Sequence, residues 1–238
     1  MLQPITLLQT KNLSSYQKSL EQLIEAIKEA EANAIIVAPE LAVTDFDYDN
    51  LDAACEYSEY AIKELCKIIK EQILVLTLFR KEQERVVNQA VVIHNGTVVH
   101  TQNKYRLFKL GNEHLHFSAG SGEDIHLFEI NGMKFGVLIC FELRYKELWK
   151  KLEGADIICV PSQWGEPRKR HLEILGSALA VMNQCFVLIA NSSNETMAKS
   201  SAIYSPMGGV VLNDAALKIS HSIDLDEVKL MRRYITLD

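Results

Sequence analysis

An α/β fold with mixed sheets is what this sequence predicts. Three observations carry the expectation. Short apolar, strand-like runs alternate with helical patterns along most of the chain. One pair of such runs is joined by Asn95-Gly96, a hairpin signal, so not every strand is reached through a helix. The length of 238 residues, with 48% apolar and 24% charged side chains, fits one globular domain over residues 1–238 that can bury a sizeable core.

The elements follow in order. Residues 5–9 (ITLLQ) read as a strand. Residues 14–31 read as a helix, because Leu20, Leu23, Ile24 and Ile27 recur at helical spacing. The β-branched run 34–38 (AIIVA) reads as a strand buried on both faces. A second helix is expected over 52–70, with Ala61, Leu65, Ile68 and Ile69 on one side, and a strand over 73–79. The hairpin strands are 86–94 and 97–102. Alternation then resumes with strand 134–140, a short helix 144–152, strand 156–160, helix 169–183 and strand 185–190. A β-rich stretch continues through Pro206 and Gly208-Gly209 to about residue 224. No internal repeat or linker interrupts the pattern. No Gly-rich loop follows an early strand, which disfavours a dinucleotide-binding fold.

Charge and cysteine usage narrow the function. The net charge of −6 argues against a nucleic-acid partner. The one dense basic cluster, Arg168, Lys169 and Arg170, reads as a solvated helix face. Five cysteines, an odd number with no close pair, point to a reducing compartment, and Cys159 and Cys185 sit inside apolar runs. The first residues lack a signal-peptide pattern, and no apolar run approaches the ~18 residues that span a bilayer. The expectation is a cytoplasmic protein without a membrane partner.

Three polar residues stand where apolar strands stop, the place where α/β folds gather ligands. Glu40 follows the buried strand 34–38; desolvated there, a carboxylate is a better base near neutral pH. Lys104 follows the hairpin, where a held ammonium can stabilise a developing oxyanion. Cys140 ends strand 134–140 just before a helical segment, a corner that lifts the thiol out of the sheet and offers the N–H of Phe141 as an oxyanion donor. Its thiol needs a neighbouring base or cation to react. Taken singly, each has a plainer reading: a solvated turn glutamate, a surface lysine, a buried apolar cysteine.

Taken together, the three motifs resemble those of the nitrilase, or carbon–nitrogen hydrolase, superfamily. Pro39-Glu40, then Lys104, then Cys140-Phe141-Glu142-Leu143-Arg144 occur in that family's order, and further similarity reaches Trp164, His171, Asn183-Gln184 and Ser201 through Gly208. The resemblance implies a four-layer α-β-β-α sandwich with two mixed β-sheets. It assigns Glu40 as general base, Cys140 as nucleophile and Lys104 as the oxyanion-stabilising cation, with Glu113 as a supporting carboxylate. It also implies that no metal or organic cofactor is used, although His114 and His116 sit two apart.

The segment KYRLFKLGNEHLHFSAG is similar to the bacterial omega-amidase branch, which implies a small amide substrate bearing a carboxylate, such as 2-oxoglutaramate, and release of ammonia. Arg144 would then bind that carboxylate, or else form an ion pair with a neighbouring Glu, and Trp164 would line the pocket mouth. The alternatives are an N-carbamoyl amide hydrolase of the beta-ureidopropionase or N-carbamoylputrescine type, and a non-catalytic binding protein on the same fold. The resemblance further implies a homodimer formed through helices 144–152 and 169–183. The chain departs from the family at Glu142 (Asp expected), Lys146 (Pro), Leu179 (Arg), Lys199 (Gly) and Asp45 (Gly).

Overall fold

The computed structural model describes residues 2–237. Along the chain run β1 (Leu2–Leu8), α1 (Tyr16–Lys28), β2 (Ile35–Val37), α2 (Leu51–Ile68), β3 (Ile73–Glu82), β4 (Arg85–His94) and β5 (Thr97–Asn103). Then come α3 (Glu113–His116), β6 (Phe128–Ile130), β7 (Met133–Val137), α4 (Lys146–Lys151), β8 (Ile157–Ser162) and α5 (Lys169–Met182). The chain closes with β9 (Phe186–Asn191), β10 (Ala202–Tyr204), β11 (Val210–Leu212), β12 (Lys218–Asp224) and α6 (Asp226–Tyr234).

The strands form two six-stranded sheets, ordered β12-β1-β2-β3-β4-β5 and β11-β10-β9-β8-β7-β6. Each is mixed. In the first, β1, β2 and β3 are parallel, while β12, β4 and β5 join antiparallel. In the second, β7, β8 and β9 are parallel, with β6, β10 and β11 antiparallel.

Strand alternation decides the layers. Ile35 and Val37 of β2 face the second sheet, in one core with Val75, Phe135, Val137, Ile157 and Leu188. Ile36 and Leu74 point the other way, onto Leu20, Leu23 and Ile27 of α1 and Leu65 of α2. Burial of a side chain of this size contributes about 1.5–3 kcal/mol. On the far side α5 lies over β9, with Leu172 and Leu179 buried. The result is the expected α-β-β-α sandwich, with both parallel centres shielded on two faces.

Local signals explain the boundaries. Ser15 caps α1 by accepting from the Lys18 N–H, so the helix starts at Tyr16. Asn95 and Gly96 take φ of 50° and 74°, the twist that a two-residue hairpin needs. A second such pair, Asn131 and Gly132 at 53° and 77°, joins β6 to β7. Ladder pairing in β7 stops at Val137, three residues before the expected end of that strand at Cys140. Residues 140–144 wind as a 3-10 turn instead of opening the helix expected at 144. The reason is the left-handed backbone of Cys140, φ 49°, which a strand cannot carry.

Candidate active site

Two sequence features bring the reactive groups to one end of the sandwich. The first is the end of β2. Beyond it the Glu40 N–H donates to the Ser162 carbonyl at 3.2 Å, which ties β2 to the end of β8 in the other sheet. Leu41 turns left-handed with φ 49° and donates its N–H to Thr77 Oγ1. The second is the 3-10 turn at Cys140. A non-glycine residue in the left-handed region costs about 1–2 kcal/mol. Leu41 and Cys140 both take it beside the reactive groups, where strain commonly persists.

Glu40 and Lys104 are fully buried, and Glu113 nearly so. Lys104 Nζ donates to Glu40 Oε1 and to Glu113 Oε1, both at 2.7 Å. An ammonium has three N–H groups, so this leaves one. Glu40 Oε1 also accepts from Asn88 Nδ2 at 2.8 Å, whereas Glu40 Oε2 is buried with no partner. Glu113 is steadied by the Phe108 N–H on its other oxygen at 2.9 Å. It belongs to α3, a single turn that sequence periodicity does not reveal.

The charges settle accordingly. Burial alone would pull the Lys104 ammonium down, but Glu40 and Glu113 outweigh it and hold it above the ordinary lysine range. Burial pushes the Glu113 carboxyl up, against the pull of Lys104. Burial and the Glu40 charge push the Cys140 thiol well above its usual range; Lys104 and the Gln163 backbone N–H oppose this without cancelling it. Cys140 therefore rests as a thiol and needs a base to become a nucleophile.

A third buried carboxylate joins the segments that carry Lys104 and Cys140. Glu142 is fully buried and accepts from the N–H groups of Ile139 (2.8 Å), Tyr105 (2.7 Å) and Arg106 (3.3 Å). It spans from the Cys140 turn to the residues after Lys104. Burial raises its carboxyl to about 7 against those donors.

Cys140 lines a narrow cleft with Phe108, Phe141, Arg144, Gln163, Trp164 and Arg168. Phe141 packs against Phe108 with centroids 5.0 Å apart. Trp164 is 4% exposed and lines the cleft while packing into the core. Arg144 forms no ion pair with a neighbouring glutamate. It stacks 4.6 Å from the Trp164 ring and donates to His171 Nδ1 at 3.0 Å. His116 lies flat on Tyr48 at 3.9 Å. A larger concavity, lined by Ile174, Val181, Met182, Val210 and Leu212, lies on the α5 face away from these groups.

Several departures acquire reasons. Asp45 and Lys199, where the resemblance expects glycine, keep a glycine-like φ of 55° and 56°. Asp45 uses its carboxylate to hold Gln163 Nε2 at 3.0 Å, beside the cleft. Leu179 is core. Lys146 opens α4, where proline would also fit. Asn88, Gln163 and Arg168 were not singled out as site residues by sequence reasoning. For Asn88 a signal existed: an amide inside the apolar strand run VVNQAVVIH.

Comparison with known proteins identifies the family. The family profile described as carbon-nitrogen hydrolase matches residues 4–233. The chain is 32% identical over 231 residues to a 2-oxoglutaramate amidase of Bacillus subtilis, covering 92% of this chain and 88% of that protein. It is 32% identical over 105 residues to the omega-amidase YafV of Escherichia coli, covering 44% of this chain and 40% of the other. Among solved structures it is similar to Saccharomyces cerevisiae Nit3, a member of branch 10 of the nitrilase superfamily, with a TM-score of 0.85 at 21% identity, covering 99% of this chain and 95% of that one.

Proposed function

The chain belongs to the carbon–nitrogen hydrolase family, and from that premise we propose that it hydrolyses the terminal amide of a small carboxylate-bearing amide, releasing ammonia, as an omega-amidase does. The observation that carries the reading is the convergence of two buried carboxylates on one buried lysine, beside the cysteine that opens into a cleft. A non-catalytic protein would gain little from burying three charges, since one left unpaired costs several kcal/mol.

Glu40 Oε2 takes the proton from the Cys140 thiol as sulfur attacks the amide carbon. The remaining Lys104 N–H and the Phe141 backbone N–H hold the oxyanion. Collapse of the tetrahedral species breaks the C–N bond, and Glu40 returns its proton to the departing nitrogen as ammonia. A water deprotonated by Glu40 then attacks the thioester. The products are the free carboxylate and the restored thiol. Glu113 holds Lys104 in place, and Arg144 receives the substrate's own carboxylate. None of the five cysteines is bonded to another, and the cytoplasm, a reducing compartment, suits such a nucleophile.

Ammonia release from 2-oxoglutaramate, 2-oxosuccinamate, glutamine, N-carbamoyl-β-alanine and N-carbamoylputrescine tests the reading, with Cys140→Ala alongside. The expected result is turnover of the 2-oxo acid amides that vanishes in the variant. Release of CO2 with ammonia from a carbamoyl substrate would replace the proposal.

A further inference from the structure

Two arginines line the cleft beside Cys140, and neither joins an ion pair among the described residues. Arg144 is occupied by Trp164 and His171. Arg168 lies 5.2 Å over the Phe108 ring. The basic run that reads as a solvated face is in fact divided. Lys169 pairs with Asp214 and Arg170 with Glu173, but Arg168 turns into the cleft. All three stand at the start of α5, the positive end of the helix dipole, where a cation is unfavourable. No carboxylate among the described residues balances the Arg168 charge, which rests against the Phe108 ring.

The chain also makes room for this arginine. Gly165 has φ −73° and ψ 154°, which any residue adopts, so its backbone does not call for glycine. A Cβ at that position would lie 3.2 Å from Arg168 Nη2, closer than ordinary contact. Burial, and then repulsion from Arg168, hold the Arg144 guanidinium below the ordinary arginine range. The buried indole N–H of Trp164, in the same cleft wall, has no acceptor. An anion between the guanidinium groups would relieve their repulsion and supply acceptors.

We propose that Arg168, together with Arg144, forms a two-guanidinium subsite for the substrate's carboxylate, and that Arg168 is the residue by which the enzyme prefers anionic amides to neutral ones. The proposal rests on the amidase reading above and names a specificity residue within it. Gly165 leaves room for it, since a Cβ there would make the guanidinium give by a few tenths of an ångström.

Steady-state kinetics with 2-oxoglutaramate and the neutral pentanamide test it, on the native chain, Arg168→Met, Arg168→Lys and Gly165→Ala. Loss of a desolvated charge-assisted contact predicts a KM for 2-oxoglutaramate about 30- to 300-fold higher in Arg168→Met, with kcat within about threefold. The preference for the anionic amide should fall by a similar factor. Arg168→Lys should recover part of it, because an ammonium keeps the charge but not the fork, and Gly165→Ala should fall between the native chain and Arg168→Met. Melting curves that match the native chain exclude unfolding as the cause. Equal losses on both substrates, or no loss on either, overturn the proposal. If the native chain hydrolyses neither amide, the amidase reading fails separately. The subsite is then judged by calorimetric titration of Cys140→Ala with 2-oxoglutarate: binding that weakens at least about tenfold on adding Arg168→Met sustains it, and absent or unchanged binding overturns it.

Discussion

The two oxygens of Glu40 are in different situations, and the proposed chemistry uses that difference. Oε1 is held by Lys104 and Asn88, while Oε2 is buried and open. Asn88 thus acts through Glu40 as a positioning residue. Replacing it with Ala removes a hydrogen bond to a charged group, and kcat should fall roughly 10- to 100-fold. Asn88→Asp should be worse than Ala, because it sets a second carboxylate beside the first. Ammonia-release kinetics check the order; an Asp variant as active as the native chain would exclude the role. Glu40, Lys104 and Cys140 were legible as residue types after apolar strands. Asn88 was less so, because its function depends on a partner 48 positions away.

At the scale of elements, the segments that carry Lys104 and Cys140 meet through Glu142. Its three N–H donors belong to residues before Cys140 and after Lys104. Folding lifts this carboxyl from an unfolded value near 4.3 to about 7. The fold therefore favours its protonated form. That contribution is fully present below about pH 4 and is lost as pH rises through about 7. It amounts to about 3.5 kcal/mol at most. In Glu142→Gln the amide NH2 faces N–H donors, so the variant should be less stable overall and should lack this slope. Urea unfolding at pH 5 and pH 8 measures both effects; equal pH dependence in the two proteins would contradict the assignment. The hairpin at Asn95-Gly96 was visible because its twist demands those residues. The turn of α3 was not, because four residues show no period.

At the scale of the molecule, two mixed sheets face each other and helices cover their outer faces. One part of that outer surface stays apolar. Ile174, Met182 and Val210 are 49%, 62% and 51% exposed on or beside α5. We propose that this face, which includes the helix 169–183 expected at a dimer contact, is where two copies of the chain meet. Among the described residues no helix is long and apolar enough to cross a membrane. Light scattering at micromolar concentration should give twice the chain mass for the native protein and about the single-chain mass for Ile174→Glu, since a buried unpaired charge opposes association. A native protein of single-chain mass would refute the contact.

The sequence by itself determined the α/β class, the order of most elements and the position of Glu40, Lys104 and Cys140 after apolar strands, because hydrophobic period, turn chemistry and residue type are local properties. Tertiary structure alone decided which oxygen of Glu40 is free, where the β7 ladder stops, how Glu142 ties the Cys140 turn to the Lys104 segment, and that Arg168 leaves its basic run for the cleft. Each of these depends on distances between residues far apart in the chain. Burial and pairing, which set charge and reactivity, do not exist until those residues meet.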